Sequence, residues 1–173
     1  MKKILFTAFL LTSACCLNRP SVVSEIYLLS VEGKTQKIGS VQMTETLEGM
    51  LFEVDLDGIP MGEHGFHIHE NASCLPLENK NGALILAGQA GAHYDPKKTN
   101  RHLGPYKRGH KGDLPLLVAD YKGRVQTKFY RHGLTLKELK NKSLVIHKGG
   151  DNYQDKPLPQ GGGGERIACG VIN

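Results

Sequence analysis

Two histidines in the segment HGFHIHE, His67 and His69, are spaced for metal binding. Successive side chains of a β-strand point to opposite faces of a sheet, so these two imidazoles project from the same face. His64 falls on the other face with Phe66, which predicts a histidine packed in or near the core. Many HxH pairs bind nothing, so the meaning of this pair depends on the other donors in the chain.

A second group of donors lies in the Gly- and Pro-rich stretch that follows. It consists of His93 in GAHYDP and His102, His110 and Asp113 in RHLGPYKRGHKGD. Three imidazole nitrogens and one carboxylate suit tetrahedral Zn²⁺. The turn residues between them allow this stretch to fold back on one ion.

Four further residues complete the set that could do chemistry. His147 in LVIHKGGD ends a predicted strand, whereas His132 in YRHGL lies in a turn and is predicted to be a surface histidine. Cys74 and Cys169 are a natural pair for one disulfide in an exported protein. A thiolate metal site is the weaker alternative, because neither cysteine has a second Cys or a His at ligand spacing.

Residues 1–17 predict export. Two lysines precede the mostly apolar run Ile4–Leu11, and small residues follow, which is the layout of a secretory signal peptide. The run is far shorter than the ~20 residues that cross a bilayer. LTSAC resembles the bacterial lipoprotein cleavage motif, with a lipid anchor on Cys15, and plain cleavage near Ala14 to Leu17 is the alternative. The protein is expected in the periplasm, either free or anchored.

The rest of the chain, residues 18–173, predicts one all-β domain. Segments with alternating or β-branched apolar residues, separated by turns, are predicted strands; they span 24–31, 37–45, 49–58, 64–69, 114–120, 123–130, 142–148 and 165–172. This pattern is typical of an antiparallel sandwich or barrel. A helical turn is predicted at 135–139. Two stretches, 71–113 and 148–164, are too long for ordinary connections and are predicted to be functional loops.

Composition excludes few classes of function. The formal charge of +5 falls to about +3 once Lys2 and Lys3 are removed with the signal segment. No dense run of Lys and Arg occurs, so no nucleic-acid partner is expected.

Six motifs, in order, resemble those of exported bacterial copper/zinc superoxide dismutases: GFHIHE, GAHYDP, HLGP, HKGDLP, VIHKGGDNY and GGGGERIACGVI. The resemblance covers about residues 24–173. It implies a Greek-key β-sandwich or flattened barrel of about eight antiparallel strands with two long functional loops. The run of four glycines matches the bacterial branch of the family.

The resemblance also implies a two-metal site with one copper and one zinc ion per chain. Copper would be held by His67, His69, His93 and His147, and zinc by His93, His102, His110 and Asp113. His93 is then shared as a bridging imidazolate. Asp151 matches the aspartate that links ligands of the two metals, and Cys74 and Cys169 match the intramolecular disulfide. Arg166 matches the arginine beside copper, although Glu165 stands where a small residue is more usual.

The implied activity is dismutation of superoxide to O₂ and hydrogen peroxide, with His93 and Arg166 as the catalytic residues. The expected partner is the small-molecule substrate, on a monomer or a homodimer. One alternative is a non-enzymatic exported copper- and zinc-binding protein on the same fold, which has no need of a bridging histidine or of Arg166. The other is a structural sandwich with a zinc-ordered loop.

Overall fold

The computed structural model describes residues 19–173, so the predicted signal segment 1–17 and the candidate lipid site Cys15 lie outside the described residues. Antiparallel strands dominate, and the predicted all-β class is confirmed. The strands are β1 (Ser21–Ser30), β2 (Gly33–Thr46), β3 (Gly49–Asp57), β4 (Gly62–His64), β5 (Phe66–His69), β6 (Leu77–Glu78), β7 (Leu84–Ile85), β8 (Leu117–Ala119), β9 (Arg124–Arg131), β10 (Lys142–His147) and β11 (Arg166–Ile172). A single α-helical turn, α1 (Leu136–Leu139), precedes β10. None of the helices among residues 19–173 is long and apolar enough to cross a membrane.

Seven strands form one curled antiparallel sheet in the order β5-β10-β11-β1-β2-β3-β9. The first strand pairs with the last, and β3 pairs with the distant β9, so long connections join neighbours in the manner of a Greek key. The sheet nearly closes on itself, because β8 packs beside β9 and pairs with β4, which continues across Gly65 into β5.

Alternation along the strands builds the core. In β3, Met50, Phe52, Val54 and Leu56 are buried, whereas the acidic residues between them face solvent. Phe52 stacks on Phe129 of the paired strand β9, with ring centroids 5.1 Å apart. The inward-facing side chains of the other strands complete one continuous apolar core, which gives the loops a rigid base.

The free edge of β5 is covered by the first long loop. The amide of Ile68 donates to the carbonyl oxygen of Gly112, and the Ile68 carbonyl accepts from Tyr94. His93 and Asp113 are thereby laid beside β5, next to His69 and His67 respectively. The sequence suggested that the stretch 71–113 is a loop without strands. The structure differs, because β6 and β7 form a small hairpin within it.

A disulfide joins Cys74 in this loop to Cys169 in β11, as the resemblance implied. Ala87, Ala90 and Val145 pack around it in a small second apolar cluster. The start of the loop is therefore fixed to the centre of the sheet, which stabilises the backbone between residues 87 and 93.

Candidate metal centre

Six buried imidazoles converge where the first loop meets β5 and β10. Within residues 19–173, eight buried side-chain nitrogen or oxygen atoms lack a hydrogen-bond partner, and six of them belong to these rings. They are His67 Nδ1, His69 Nε2, His93 Nε2, His102 Nδ1, His110 Nδ1 and His147 Nε2. Since buried polar atoms are normally paired, such a cluster of unpaired donors points to metal ions as the missing partners.

The zinc-type group surrounds Asp113. Its Oδ1 lies 3.1 Å from Nδ1 of His93, 3.1 Å from Nδ1 of His102 and 3.3 Å from Nδ1 of His110. A tetrahedral Zn²⁺ with bonds of about 2.0 Å requires its ligand atoms to be about 3.3 Å apart. The three distances to Asp113 therefore match the spacing of ligand atoms around a zinc ion.

The copper-type group lies at the end of β5 and β10. Single donor atoms of His67, His69, His93 and His147 all lie within 4.8 Å of one another, and all four residues are buried. Hydrogen bonds decide which nitrogen each ring presents. His69 donates Nδ1–H to the Gly91 carbonyl at 2.9 Å, and His147 donates Nδ1–H to Gly164 at 3.1 Å, so each leaves Nε2 as the free donor atom.

Asp151 connects the two groups. Its Oδ2 accepts from Nε2 of His67 and its Oδ1 accepts from Nε2 of His102, both at 2.8 Å. Each ring must then present its Nδ1 to its own metal group. A third bond, from the Tyr153 amide to Oδ1 at 2.7 Å, fixes the carboxylate. One side chain therefore sets the orientation and tautomer of a ligand in both groups.

The first glycine of the run Gly161 to Gly164 allows Asp151 to take this position. Gly161 has a φ of +76°, and a Cβ built on it would lie 2.0 Å from Asp151 Oδ1 and 2.8 Å from His102 Nε2. No other residue type fits without moving the carboxylate. The sequence showed the glycine run but gave no sign of this contact.

Burial keeps the copper-type imidazoles neutral. Burial lowers the pKa of His67 and of His69 well below the ordinary value, and lowers the pKa of His147 to about 4. The neutral ring is the form that binds a metal ion. Burial also opposes protonation of His102, but the adjacent carboxylates of Asp113 and Asp151 outweigh it and raise its pKa to about 9 in the metal-free protein.

Distance alone groups His67, rather than His110, with His93, His102 and Asp113. The positions of the free ring nitrogens decide whether His67 or His110 is the better fourth donor of the zinc-type group. His67 stacks on His93 with centroids 3.9 Å apart, so its ring lies near both groups, but its free Nδ1 also belongs to the copper-type set. His110 has its unpaired Nδ1 3.3 Å from Asp113 Oδ1, and it belongs to no other group. This contact supports His110 as the fourth zinc-type donor.

Arg166 lies beside the copper-type group at the start of β11, opposite His147 in the sheet register. Its half-buried guanidinium donates to the carbonyl oxygens of Ala87 at 2.6 Å and Gly91 at 2.8 Å. After burial and neighbouring imidazoles, its positive charge also lowers the pKa of His69 and His147. The carbonyls that hold Arg166 were not identified from the sequence.

Glu165 lies just before β11 and is exposed to solvent. Its exposed carboxylate accepts from Lys148 Nζ at 2.9 Å. The two remaining histidines match expectation. His64 is buried, with both ring nitrogens 2.8 Å from backbone carbonyl oxygens, and His132 is exposed in the turn after β9.

Residues outside the sequence motifs hold the zinc-type loop. Arg131, at the end of β9, donates Nε–H to the backbone carbonyl of Asp113 at 3.2 Å. Lys111 forms an ion pair with Glu138, whose carboxylate also caps α1 through Thr135. The backbone that carries His110 and Asp113 is therefore attached to the segment around β9 and α1. No sequence pattern marked Arg131 for this role.

Comparison with known proteins agrees with the geometry. The family model for copper/zinc superoxide dismutase (SODC) matches residues 37–172. The chain belongs to the copper/zinc superoxide dismutase family. It is an enzyme that dismutates superoxide, and copper and zinc are its cofactors. The non-enzymatic and structural alternatives therefore give way to the enzyme.

Individual relatives extend this result over the whole chain. The copper/zinc superoxide dismutase of Escherichia coli strain K12 is 45% identical over 173 residues, which cover 99% of each chain. The solved enzyme of Brucella abortus is 45% identical with a TM-score of 0.86, covering 89% of this chain and all of that one. The solution structure of the monomeric enzyme of Salmonella enterica is 46% identical with a TM-score of 0.78 over 89% of this chain and 100% of that one.

Proposed function

We propose that the chain dismutates superoxide with copper held by His67, His69, His93 and His147 and zinc held by His93, His102, His110 and Asp113. The observation that carries this assignment is the set of six unpaired imidazole nitrogens, of which Asp151 orients one ring in each group. When bound, copper supplies one-electron redox chemistry, and zinc supplies a fixed positive charge without redox chemistry. The net reaction converts two superoxide ions and two protons into O₂ and hydrogen peroxide.

His93 is the proton carrier in this proposal. Its Nδ1 faces Asp113, and its Nε2 faces the copper-type donors without a protein partner. With Nδ1 committed to the zinc group, the ring exchanges a proton only at Nε2, which is the nitrogen beside the substrate. A cation on Nδ1 would favour loss of the proton from Nε2, so the ring can give that proton to the developing peroxide.

Arg166 binds and orients the substrate anion. Two of its nitrogens donate to the carbonyls of Ala87 and Gly91, which holds the guanidinium in one place beside His69 and His147. A guanidinium stays charged and offers several N–H donors, so it attracts superoxide and hydrogen-bonds it next to the metal ligands. The ion pair between Lys148 and Glu165 lies at the surface and leaves this charge unneutralised.

Substitution of Arg166 tests the assignment. In protein loaded with both metals, Arg166→Ala should lower the rate at least tenfold, roughly the effect of removing one charge-assisted contact. Arg166→Glu should lower it further, and added salt should then cease to slow the reaction, because salt would screen a repulsion. Metal analysis of each variant is the control, since Arg166 is not a ligand. Equal rates and equal salt dependence in all three proteins, at full metal content, would refute the role.

We propose further that the enzyme works in the periplasm, as a mature chain that begins between Cys15 and Asn18. The signal-like segment 1–17 and the disulfide between Cys74 and Cys169 support an oxidising exported compartment. A monomer or a homodimer is compatible with this proposal. The lipoprotein form would carry acyl chains on Cys15.

Intact mass after expression with the native signal tests the export proposal. A chain that starts between Cys15 and Asn18 is expected. Added acyl mass that disappears in Cys15→Ser would establish the lipid anchor, and an unmodified mass would establish plain cleavage. A periplasmic fraction that lacks the protein, with a chain that retains Met1 to Ala14, would contradict export.

A further inference from the structure

A basic cleft of about 660 Å³ opens on the outside of the zinc-type loop, against the end of β9. It is lined by five cationic side chains and a single carboxylate, that of Asp95. The cations are Lys97, Lys107, Arg108, Lys111 and Arg131. None of the proposed metal ligands lines this cleft, and neither does Arg166, so it is separate from the copper side of the centre.

The cleft concentrates the charge of the molecule. Removing Lys2 and Lys3 from the formal charge of +5 leaves +3 for residues 19–173, because residues 1–18 contain no acidic side chain. The five cations, less Asp95 and the Glu138 that pairs with Lys111, also give +3. One cleft therefore carries as much net positive charge as the whole described chain, and elsewhere the charges cancel.

The floor of the cleft is fixed by the same contacts that hold the zinc-type loop. Arg131 is half-buried and donates to backbone carbonyls of Asp113 and His132, and Lys111 is held by Glu138. The cations at the rim of the cleft are not held by such contacts. Lys97, Lys107 and Arg108 are exposed, and they form no ion pair with any residue from 19 to 173. Three unpaired cations thus surround a pre-formed depression.

We propose that this cleft binds a small ligand that bears two or more phosphate or sulfate groups. Arg and Lys side chains are the usual partners of such oxyanions, and several cations around one depression favour a ligand with several charges. The volume lies within the range of about 300–1,000 Å³ that small-molecule sites occupy. A neutral or cationic ligand would leave the three rim cations unpaired and gain nothing from them.

Calorimetric titration of the metal-loaded enzyme tests the proposal with two probes, fructose 1,6-bisphosphate and a disaccharide bis-sulfate. Neither probe is a strong chelator, and metal content is measured after each titration. Saturable binding of one molecule per chain is expected at about 50 mM salt, weakening as salt rises. Binding of the bisphosphate alone would identify a phosphate site, and binding of both probes would identify a general oxyanion site.

Paired charge-removing variants locate the binding. Lys107→Gln with Arg108→Gln should weaken it about thirtyfold, since two charge-assisted contacts of about 1 kcal/mol each are lost. Lys122→Gln with Lys128→Gln removes the same charge from exposed positions outside the cleft and should change the affinity by less than about twofold. Equal loss in both pairs would show that net charge alone attracts the probes and would overturn the site. So would absence of saturable binding, or equal affinity for glucose 6-phosphate.

Discussion

Asp151 reaches both His67 and His102 because residue 161 has no side chain. The Cβ of any other residue at this position would lie 2.0 Å from Asp151 Oδ1. Since Asp151 sets the tautomer of a ligand in each metal group, a displacement of its carboxylate should be felt at both metals. Outer partners of this kind typically change metal affinity by about 10- to 100-fold.

Gly161→Ala should therefore weaken zinc binding by about tenfold or more, with a smaller loss at copper, as measured by competition with chelators. Gly133→Ala is a matched control, because Gly133 has the same φ of +76° but no atom within 4 Å of an added Cβ. Both variants bear similar backbone strain, and only Gly161→Ala moves Asp151. Equal metal affinity in the two variants would contradict the role of this contact.

At the scale of elements, the zinc-type loop depends on β9 and α1. Arg131 binds the carbonyl of Asp113, and Lys111 pairs with Glu138, so two contacts attach the last turn of the loop to β9 and α1. Burial of the guanidinium lowers the pKa of Arg131, yet its backbone acceptors hold it in place. We therefore expect β9 and α1 to support zinc binding without supplying a ligand.

Arg131→Met should keep the length and apolar stem of the side chain but remove its hydrogen bonds to the loop. We expect about a tenfold loss of zinc affinity and a smaller effect on copper, because the hydrogen bonds of Arg131 all go to carbonyls outside the copper-type group. Arg124→Met, on the same strand and exposed beside Asp57, is the control. Unchanged zinc affinity in Arg131→Met, measured by chelator competition, would dismiss the contact as incidental.

The features that could be predicted from the sequence are those that leave a pattern among neighbouring residues. Alternation in β3 predicted both the strand and its buried face, and the spacing of His67 and His69 predicted a shared face. The hairpin of β6 and β7 was missed, because its two-residue strands are too short to show alternation. Arg131 was missed as well, because a single arginine at a strand end carries no signal of the carbonyl it will meet.

At the scale of the whole molecule, the disulfide between Cys74 and Cys169 joins residues 95 positions apart. The chain-entropy model gives about 4.7 kcal/mol for a loop of roughly a hundred residues, as a model-dependent upper figure. Ala87 packs on this disulfide and supplies a carbonyl to Arg166, so the covalent link also supports the arginine that we propose binds the substrate.

Cys74→Ser should lower the melting temperature by about 10 °C. It should also lower the rate per bound copper, because the support of Arg166 is loosened. The double variant Cys74→Ser with Cys169→Ser should behave like Cys74→Ser. This result would exclude an effect of the free Cys169 thiol that the single variant leaves. An unchanged melting temperature, together with two titratable thiols in the wild-type enzyme, would rule out the pairing.

The metal-free protein should lose stability in acid. Burial lowers the pKa of His147 from 6.5 to about 4. Between pH 6.5 and pH 4 the unfolded chain therefore binds more protons than the folded chain, and the free energy of unfolding decreases as the pH is lowered. This residue alone accounts for about 3 kcal/mol at 1.36 kcal/mol per pKa unit. His102, with its pKa raised to about 9, contributes stability that is complete below pH 6.5 and therefore does not offset the loss. Denaturant titrations of the metal-free protein at pH 7 and pH 4 should differ accordingly, and equal stability would contradict buried neutral imidazoles.

The central claim is that two different metals occupy two groups that share His93. Anomalous diffraction from crystals of the metal-loaded enzyme, recorded at the copper and zinc absorption edges, tests it most directly. We predict copper bound to Nδ1 of His67 and to Nε2 of His69, His93 and His147. Zinc should bind Nδ1 of His93, His102 and His110 and Oδ1 of Asp113. A single metal site, or zinc bound by His67 in place of His110, would contradict the account.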